Sequence, residues 1–300
     1  MRLSVVVPCY ENDSYLLTLY DSYLRSLSKI ENQHDVELIF LDDCSSNNKI
    51  KEIASSFEKA SYIRNENNIG LFANWNKSFS IANYEYVLVL SQDDYLHEDY
   101  FKLFFKTLQD YKDLDLVFTD FQCFNEEGEF LHRMKAPFGL LTKNDCLEYL
   151  SRHGFGLPGI SMAIKKSVFL GSQGYDTKNM GSNDWELYYR GLEWKVAFGI
   201  DKPLVFYRKH DESASKVYSI YCSLSQYYIY SNVGKRKLNN IFYWLKASKS
   251  YHLLSERDET NKYLIYFESS LKNNLLYNFI HNSKLSIMFF RLLFRLKKLL

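Results

Sequence analysis

Glycine and proline are scarce in this chain of 300 residues, which contains only 12 glycines and 4 prolines. That scarcity excludes collagen-like and low-complexity proteins. A net charge of +1 gives no case for nucleic-acid binding by the chain as a whole. No segment has the length and apolar purity of a transmembrane helix, and the apolar run at residues 3–7 is too short for a signal peptide.

Cysteine is also sparse, and its spacing indicates neither a metal site nor a disulfide framework. The cysteines are odd in number and form no CxxC pair: Cys9, Cys44, Cys123, Cys146 and Cys222. We therefore expect a reducing, cytoplasmic setting for this protein.

Short apolar runs alternate with helical segments through the first 120 residues. Hydrophobic residues make up 46% of the chain, which is enough for a sizeable core. Strands are predicted at residues 3–7, 36–41, 61–64, 87–90 and 114–119. Helices are predicted between them, at residues 14–27, 48–57, 71–82 and 97–108. The alternation predicts an α/β fold with a mainly parallel sheet flanked by helices.

The alternation weakens after Asp120. The pattern there predicts a hairpin turn at residues 125–128, a helix capped by Thr142 and a loop at 154–159. Further strands are predicted at residues 160–164, 194–199 and 204–207. From about residue 213 the chain becomes rich in Tyr, Leu, Lys and Asn with a helical pattern. We therefore expect one domain over residues 1–212 and a helical C-terminal region over residues 213–300.

Two adjacent carboxylates, Asp93 and Asp94, follow the buried strand predicted at residues 87–90. Neighbouring buried charges are unfavourable unless something compensates them, and a divalent cation with oxygen ligands does so. Ligands of open α/β sheets bind beyond the carboxyl ends of the strands, where this pair lies. The alternative is that one of the two only caps the helix predicted at residues 97–108.

Six stretches resemble family 2 glycosyltransferases of the GT-A (Rossmann-like) fold, in this order: SVVVPCYEN, LIFLDDCSSNN, NIGLFANWN, VLVLSQDDYL, NDWEL and YRKHDESAS. The resemblance covers roughly residues 1–215. It implies an inverting hexosyl- or N-acetylhexosaminyltransferase that uses a nucleotide-diphospho-sugar, by family habit a UDP-sugar, with Mn²⁺ or Mg²⁺. It also implies that residues 1–95 bind the donor and residues 96–212 the acceptor.

The resemblance implies a set of donor-binding residues at the strand ends. Asp42 and Asp43 would hold the uracil and ribose, because carboxylates accept from base N–H groups and sugar hydroxyls. The alternative for both is a turn or cap role. Where the family pattern has Arg-Asn, this chain has Trp75 and Asn76. The other implied donor contacts are Pro8, Tyr10, Glu11, Asn68, Gly70, Asn76, Ser91, Gln92 and Asp93.

The metal site implied by the resemblance centres on Asp93. The family motif is Asp-x-Asp, and here Ser91 stands at its first position and Asp93 at its second. Ser91 could contact the ribose instead of the metal. His210 follows the last predicted strand and is the implied second metal or diphosphate ligand, the alternative being a structural or surface histidine. Arg208 lies beside His210 in the same segment, and the alternative for it is a salt bridge on the surface.

Asp184 is the catalytic base implied by the resemblance, because it matches the last acid of the family's Glu-Asp motif. A carboxylate there takes the proton of the acceptor hydroxyl as that oxygen attacks the anomeric carbon. The alternative is a plain N-cap of the short helix that follows. The resemblance places the acceptor beside Gly156, Pro158, Gly159 and Trp185.

The last segment, residues 284–300, has a basic amphipathic pattern with Lys284, Arg291, Arg295 and Lys298 on one helical face. Such a helix suits an anionic membrane surface, and the alternative is packing on the catalytic domain or on a partner protein. The membrane interpretation fits a glycan or lipid-linked glycan acceptor of a cell-surface polysaccharide, at the inner face of a bacterial membrane.

Two other classes of function, a binding module and a nucleotidyltransferase, remain open at this point. A catalytically inactive sugar-binding module is favoured by Ser91. A nucleotidyltransferase would need a Gly-rich phosphate loop after the first strand, which PCYENDS does not provide. A hydrolase with paired carboxylates does not explain the ordered strand-end motifs. Donor sugar, acceptor, linkage and oligomeric state do not follow from the sequence.

Overall fold

The computed structural model describes residues 1–32, 35–153, 156–178, 181–211, 213, 219–233, 244, 246–247, 250 and 262–272. The chain forms two compact units. The first comprises Met1–Thr177 with Asn183–Val217, and the second comprises Lys178–Ser182 with Tyr218–Leu300.

The first half of the chain alternates strands and helices as its apolar runs predict. The elements are β1 (Leu3–Cys9), α1 (Leu16–Leu27), β2 (Val36–Asp42), α2 (Lys49–Ser55), β3 (Ser61–Arg64), α3 (Leu71–Ile81) and β4 (Tyr86–Val89). β1 pairs in parallel with β2 and β4, and β2 pairs in parallel with β3. Because these strands run parallel, their carboxyl ends lie at one edge of the sheet.

The second half of this unit is more mixed. Its elements are β5 (Tyr95–Leu96), α4 (Tyr100–Asp110), β6 (Leu116–Phe124), β7 (Phe130–Met134), β8 (Gly139–Thr142), α5 (Lys143–His153), β9 (Ala163–Lys165), α6 (Lys166–Leu170), α7 (Asn183–Glu186) and β10 (Val196–Arg208). A π-helical turn, Leu187–Gly191, continues α7.

The ten strands form one sheet in the order β3-β2-β1-β4-β9-β6-β10-β5, with β7 beside β6 and β8 beside β10. β9 is antiparallel to both β4 and β6, so it joins the parallel half to the mixed half. The core is apolar on both sides of β1, whose Leu3, Val5, Val6 and Val7 are fully buried. The predicted α/β architecture is therefore confirmed, as is the hairpin that joins β6 to β7.

The structure corrects the predicted strands near the end of this unit. Residues 194–199 and 204–207 do not form two strands, because a single strand, β10, runs from Val196 to Arg208. Its register on β6 shifts on both sides of Pro203. A proline has no N–H for the ladder, so it is tolerated in a strand at such an irregularity.

The structure moves the start of one predicted helix and confirms the cap of another. α4 begins at Tyr100, not at residue 97, and its N-cap residue is Asp99, so neither Asp93 nor Asp94 caps it. Thr142 does cap α5 as predicted, because its Oγ1 accepts the N–H of Asp145 at 3.3 Å. The Asp145 carboxylate in turn accepts the N–H of Thr142 at 2.8 Å.

The second unit contains α8 (Ser219–Val233) and α9 (Lys262–Lys272), in agreement with the predicted helical region. Leu224, Tyr263 and Phe267 are buried in its apolar cluster. None of the described helices combines the length and hydrophobicity needed to span a bilayer. The predicted amphipathic segment at residues 284–300 lies outside the described residues.

Gly199 supplies a test of how tightly β10 is packed. A Cβ at Gly199 would lie 2.0 Å from the Pro137 carbonyl oxygen and 2.9 Å from the Phe138 Cα. Backbone cannot yield as a flexible side chain does, so we expect Gly199→Ala to lower the free energy of unfolding by about 3 kcal/mol. Chemical denaturation measures this value.

Gly171→Ala is the matched control, because the nearest atom to a Cβ there is the Ser167 carbonyl oxygen at 3.3 Å. We expect that control to change the free energy of unfolding by less than about 1 kcal/mol. Equal effects of the two substitutions would contradict the packing described for β10.

Candidate active site

The Gln92 side chain, which the family resemblance implied as a donor contact, joins the carboxyl ends of β1 and β4. The Gln92 amide pairs with the backbone of Tyr10, accepting its N–H at 3.0 Å and donating to its carbonyl at 3.2 Å. The Tyr10 side chain is exposed, and Pro8 lies half-buried in β1. Gln92 thus serves to position the β1 end, while the ring of Tyr10 stays open to a ligand.

Glu11 connects the loop after β1 to the loop after β2. Its carboxylate accepts the backbone N–H of Ser46 at 2.8 Å and the Ser46 hydroxyl at 2.9 Å. Its own N–H donates to the Ser45 hydroxyl at 2.9 Å. Glu11 has a positive φ of 57°, a conformation uncommon for a residue with a side chain. These contacts hold both loops in one arrangement.

Asp42 is fully buried, and its carboxylate is already paired with protein groups. Oδ1 accepts the N–H and the hydroxyl of Ser45, at 3.1 and 2.6 Å. Oδ2 accepts the Tyr62 hydroxyl at 2.7 Å and the Arg64 guanidinium at 3.2 Å. This geometry favours the turn-stabilising role over direct contact with a nucleotide.

Asp43 is buried too, but its partners belong to the segment that leads into α3. Oδ1 accepts the N–H of Ile69 at 2.9 Å, and Oδ2 accepts the N–H of Gly70 at 2.8 Å. Asn68 also accepts the Gly70 N–H, at 3.0 Å. Gly70 has φ of +85°, which glycine adopts without strain. Asp43, Asn68 and Gly70 therefore lie together at the N-terminus of α3, where backbone N–H groups favour phosphate.

Lys77 is a cation that our sequence reasoning missed. Its Nζ donates to Asn65 Oδ1 at 2.7 Å, and Asn65 in turn donates to Asp43 Oδ1 at 2.7 Å. It lies on α3 two positions after Trp75, the residue that replaces the family arginine. The sequence could have indicated this cation, because Lys77 directly follows Asn76, one of the predicted donor contacts.

Asn76 does not face the groups just described. Its Oδ1 accepts the N–H of Tyr175 at 2.8 Å, and its Nδ2 donates to the Tyr175 carbonyl at 2.9 Å. Both polar atoms of the side chain are paired with backbone, which favours a structural link over the predicted donor contact.

The Asp93 carboxylate meets the imidazole of His210, with Oδ2 and Nε2 2.7 Å apart. Their side chains are 16% and 10% exposed, so the pair is accessible but largely enclosed. Arg208 does not form a surface salt bridge. It is buried, donates from Nε to the Asp93 carbonyl at 3.2 Å, and lies 4.2 Å from the ring centroid of Tyr15.

Asp94 lies behind this pair in the protein interior. Its Oδ1 accepts the N–H of Arg208 at 3.0 Å, which fixes the end of β10 against the loop after β4. Its Oδ2 is buried with no hydrogen-bond partner among the described residues. Burial, followed by the neighbouring charge of Asp93, raises the pKa of the Asp94 carboxyl well above its usual value. Ser91, at the first motif position, accepts the N–H of Asp94 with its backbone carbonyl at 3.1 Å.

Asp93 and His210 fit a divalent cation as a two-ligand site. No cluster of three or more His, Cys, Asp or Glu side chains able to hold a metal occurs among the described residues. A site with few protein ligands suits Mg²⁺ or Mn²⁺ when a diphosphate and water complete the coordination. An imidazole ligand favours Mn²⁺, the transition-metal ion of these two.

Asp184 forms a second cluster, at the start of α7. It is half-buried, and burial raises the pKa of its carboxyl to about 6 against two opposing backbone hydrogen bonds. A Cβ at Gly159 would lie 3.1 Å from Asp184 Oδ2, so the loop backbone closely approaches the carboxylate. Within the part of the chain that the structure describes, Asp184 makes no hydrogen bond or ion pair with Asp93 or His210.

The predicted acceptor loop packs against the π-helical turn that continues α7. The N–H of Leu157 donates to the Tyr189 hydroxyl at 3.1 Å, and Gly156 approaches the same ring. Gly156 and Pro158 are buried, whereas Gly159 is half-buried beside Asp184. Trp185 is 6% exposed, so it lies in the interior and does not form an open wall.

The sheet, with its parallel half and its flanking helices, has the GT-A fold of glycosyltransferases. The chain belongs to glycosyl transferase family 2, whose model matches residues 4–169.

Curated relatives agree with this assignment. An uncharacterized glycosyltransferase of Methanocaldococcus jannaschii is 28% identical over 256 residues, which cover 81% of this chain and 83% of that protein. The O-antigen biosynthesis glycosyltransferase WbnJ of Escherichia coli is 25% identical over 266 residues, which cover 82% and 96% of the two chains.

Solved structures of S. aureus TarS share the fold. The complex of TarS 1-349 with UDP-GlcNAc matches with a TM-score of 0.59 and 16% identity, over 83% of this chain and 71% of that one. A longer TarS structure matches with a TM-score of 0.56 and 15% identity over 86% of this chain, which spans only 44% of that protein.

The pairing of Asp42 predicts a stability effect. We expect Asp42→Ala to lower the free energy of unfolding by about 3 kcal/mol, because it leaves the buried Ser45 donors and the half-buried Tyr62 hydroxyl without their acceptor. Urea denaturation monitored by circular dichroism measures the change.

Asp110→Ala is the control, because Asp110 is exposed and its ion pair with Lys106 spans one helical turn. Its expected effect is below about 0.5 kcal/mol. Unchanged stability of Asp42→Ala would show that its carboxylate does not brace the loop.

Proposed function

We propose that this protein transfers a sugar from a UDP-sugar to an acceptor hydroxyl in one inverting step, with Asp184 as the base. The observation that carries the proposal is the position of Asp184, half-buried at a helix start and in contact distance of the acceptor-side loop at Gly159. An aspartate that only caps a helix does not require a glycine of another loop to lie close to its carboxylate, as Gly159 does here.

The donor side is supported by the loop that Asp43 orders. The N–H groups in the first turn of α3, which come after the Ile69 and Gly70 N–H groups that Asp43 accepts, are the contacts we propose for a diphosphate. The exposed ring of Tyr10 is the contact we propose for a base. The TarS relatives were solved with UDP-GlcNAc and with UDP, which supports uridine as the nucleotide. We accordingly assign donor binding to residues 1–95 and acceptor binding to residues 96–212.

Asp93 and His210 would hold the divalent cation of this reaction. When bound, such an ion supplies charge neutralisation for the departing nucleoside diphosphate. Asp94 and Arg208 support that pair from behind by joining the β4 loop to the end of β10.

Asp184 supplies the proton transfer. The acceptor oxygen attacks the anomeric carbon from the face opposite the diphosphate, the bond from that carbon to the phosphate oxygen breaks, and the hydroxyl proton passes to Asp184. A pKa of about 6 keeps this carboxylate ionised at neutral pH and makes it a stronger proton acceptor than an ordinary aspartate.

The acceptor is proposed from the relatives. The name of the WbnJ relative states O-antigen biosynthesis, which supports a glycan or lipid-linked glycan acceptor in cell-surface polysaccharide synthesis. The proposed location is cytoplasmic, with residues 284–300 attaching the protein to the inner face of the membrane. This attachment rests on the basic amphipathic pattern of that segment.

A second candidate is a nucleotide-sugar-binding module without catalysis. The observation in its favour is Ser91, which replaces the first acid of the motif. A protein of this kind would bind the donor without releasing nucleoside diphosphate.

A donor panel tests these proposals. Purified protein is incubated with UDP-, GDP- and dTDP-sugars and Mn²⁺, and release of nucleoside diphosphate is measured with and without chelator. We expect release from a UDP-sugar that chelation abolishes and that Asp93→Ala reduces by at least about 100-fold. Asp184→Asn should bind the donor yet lose about 10²- to 10⁴-fold in transfer to an added acceptor.

Asp110→Asn serves as the control for charge removal, since that residue lies on the surface of α4. Binding of UDP-sugar without turnover would support the binding module, and absence of any nucleotide-sugar binding would overturn both candidates.

The raised pKa of Asp184 predicts the pH dependence of transfer. Because only the ionised carboxylate accepts a proton, kcat should fall as the pH drops below about 6, with a slope of one on a logarithmic scale. Steady-state rates between pH 4.5 and 8 at saturating substrates measure this limb. Loss of the limb in Asp184→Asn assigns it to this residue, and its persistence would assign it elsewhere.

A further inference from the structure

Two buried carboxylates lie side by side after β2, and the structure compensates their charges in different ways. Asp42 is fully buried, and Asp43 is 3% exposed. Asp42 has a cation in contact, because the Arg64 guanidinium lies 3.2 Å from its Oδ2. In the described part of the chain Asp43 forms no ion pair, and its partners are the Asn65 amide and two backbone N–H groups. A buried charge of this kind is unfavourable unless a cation lies nearby.

Asn65, which directly follows β3, connects Asp43 to a cation on α3. Asn65 is 2% exposed, its Nδ2 donates to Asp43 Oδ1 at 2.7 Å, and its Oδ1 accepts Lys77 Nζ at 2.7 Å. Chemistry fixes the orientation of this amide, because a carboxylate only accepts hydrogen bonds and an ammonium group only donates them. Turning the amide over would set oxygen against oxygen and nitrogen against nitrogen. The charge of Lys77 therefore acts on Asp43 through a single amide.

Further hydrogen bonds hold this connection in place. The Asn65 N–H donates to the Asp42 carbonyl at 2.8 Å, which fixes the backbone after β3. On α3, Asn74 accepts Asn65 Nδ2 at 3.0 Å and donates from its own Nδ2 to the Leu41 carbonyl at 3.2 Å. Asn74 and Lys77 are three residues apart, so they lie on the same face of the helix. That face of α3 is thus joined by polar side chains to the chain at the ends of β2 and β3.

The Asp43 carboxylate orders the segment that leads into α3. It accepts the N–H of Ile69 at 2.9 Å and the N–H of Gly70 at 2.8 Å. An amide that binds an ammonium group at its oxygen is polarised and donates more strongly, so Lys77 strengthens the bond from Asn65 to Asp43. Removal of Lys77 would leave the buried Oδ1 of Asn65 without this donor and the Asp43 carboxylate without its cation.

We propose that Lys77 is a positioning residue for donor binding: it compensates the Asp43 charge through Asn65 and so keeps the segment before α3 in the arrangement that accepts the diphosphate. The proposal rests on the proposed function, since the first turn of α3 is the proposed diphosphate contact. Trp75 stands where the family pattern has arginine, and Lys77 retains a positive charge on the same helix. In this chain that charge acts from behind the donor-side segment, through a buried amide.

Lys77→Met tests the proposal in the full chain, because it removes the charge and retains most of the side-chain length. Three quantities are measured: the affinity for UDP with Mn²⁺ by titration calorimetry, the donor KM and kcat, and the hydrogen-exchange rates of the Ile69 and Gly70 amides in the free protein. We expect UDP affinity to fall about tenfold and donor KM to rise by the same factor, with kcat changed less than about twofold. Exchange at the two amides should become at least about tenfold faster.

Lys143→Met is the matched control for the loss of a lysine. Lys143 is also half-buried on a helix, α5, and its Nζ likewise donates to a neutral oxygen, the Leu192 carbonyl, at 2.9 Å. We expect its UDP affinity, its donor KM and its exchange rates at Ile69 and Gly70 to stay at the wild-type values.

Lys77→Arg restores the positive charge, so its UDP affinity should stay within about threefold of the wild-type value. An affinity loss as large as that of Lys77→Met would overturn the proposal. So would wild-type UDP affinity or unchanged amide exchange in Lys77→Met, a fall in its kcat in place of a rise in donor KM, or an equal loss of affinity in Lys143→Met. If Lys77→Met does not fold, Lys77→Gln takes its place, because it keeps a hydrogen-bond donor without the charge. The same loss of affinity is expected there, and wild-type affinity would overturn the proposal.

The wild-type protein separates the two levels of inference. A wild type that binds and turns over a UDP-sugar, with a Lys77→Met variant that does so equally well, refutes the positioning role alone. A wild type that binds no nucleotide-sugar refutes the proposed function, and the role in donor binding with it, whatever the exchange rates of the Ile69 and Gly70 amides.

Discussion

The buried carboxylate of Asp43 is the contact on which the rest of the candidate site depends. It lies just past the end of β2 and accepts the N–H groups of Ile69 and Gly70, which directly precede α3. The same helix carries Asn76, whose amide pairs with the backbone of Tyr175. Asp43 therefore orders the segment that leads into a helix with a second long-range link further along it.

The acids of the site differ mainly in how far protein groups satisfy them. Asp42 is paired on both oxygens, which favours a structural role for its carboxylate. Asp93 has a single side-chain partner, His210, so a ligand can compete for it. Asp184 has its pKa raised by burial, which suits a group that must change protonation state. The environment of each carboxylate, more than its position in a motif, indicates whether it has a structural role or a ligand-binding or catalytic one.

The parallel half of the fold was predictable because its strands are continuous apolar runs that end in acids. β10 was not, because Asp201, Lys202 and Pro203 interrupt its pattern, and only pairing with β6 on one side carries the strand through. The site divides in the same way. Asp43 and the Asp93–His210 pair follow from strand ends, whereas the bond from Asn76 to Tyr175 spans 99 residues and leaves no local signal.

The loops after β1 and β2 are hydrogen-bonded to each other through Glu11 and Ser46, and both Glu11 and Cys44 have positive φ angles. Such loops have lost most of their backbone freedom at the folding step. A nucleotide bound at the proposed donor site would meet groups already aligned, so little conformational entropy would oppose its binding. Recognition there would be close to that of a rigid receptor, with selectivity set by shape and hydrogen-bond complementarity instead of by loop closure.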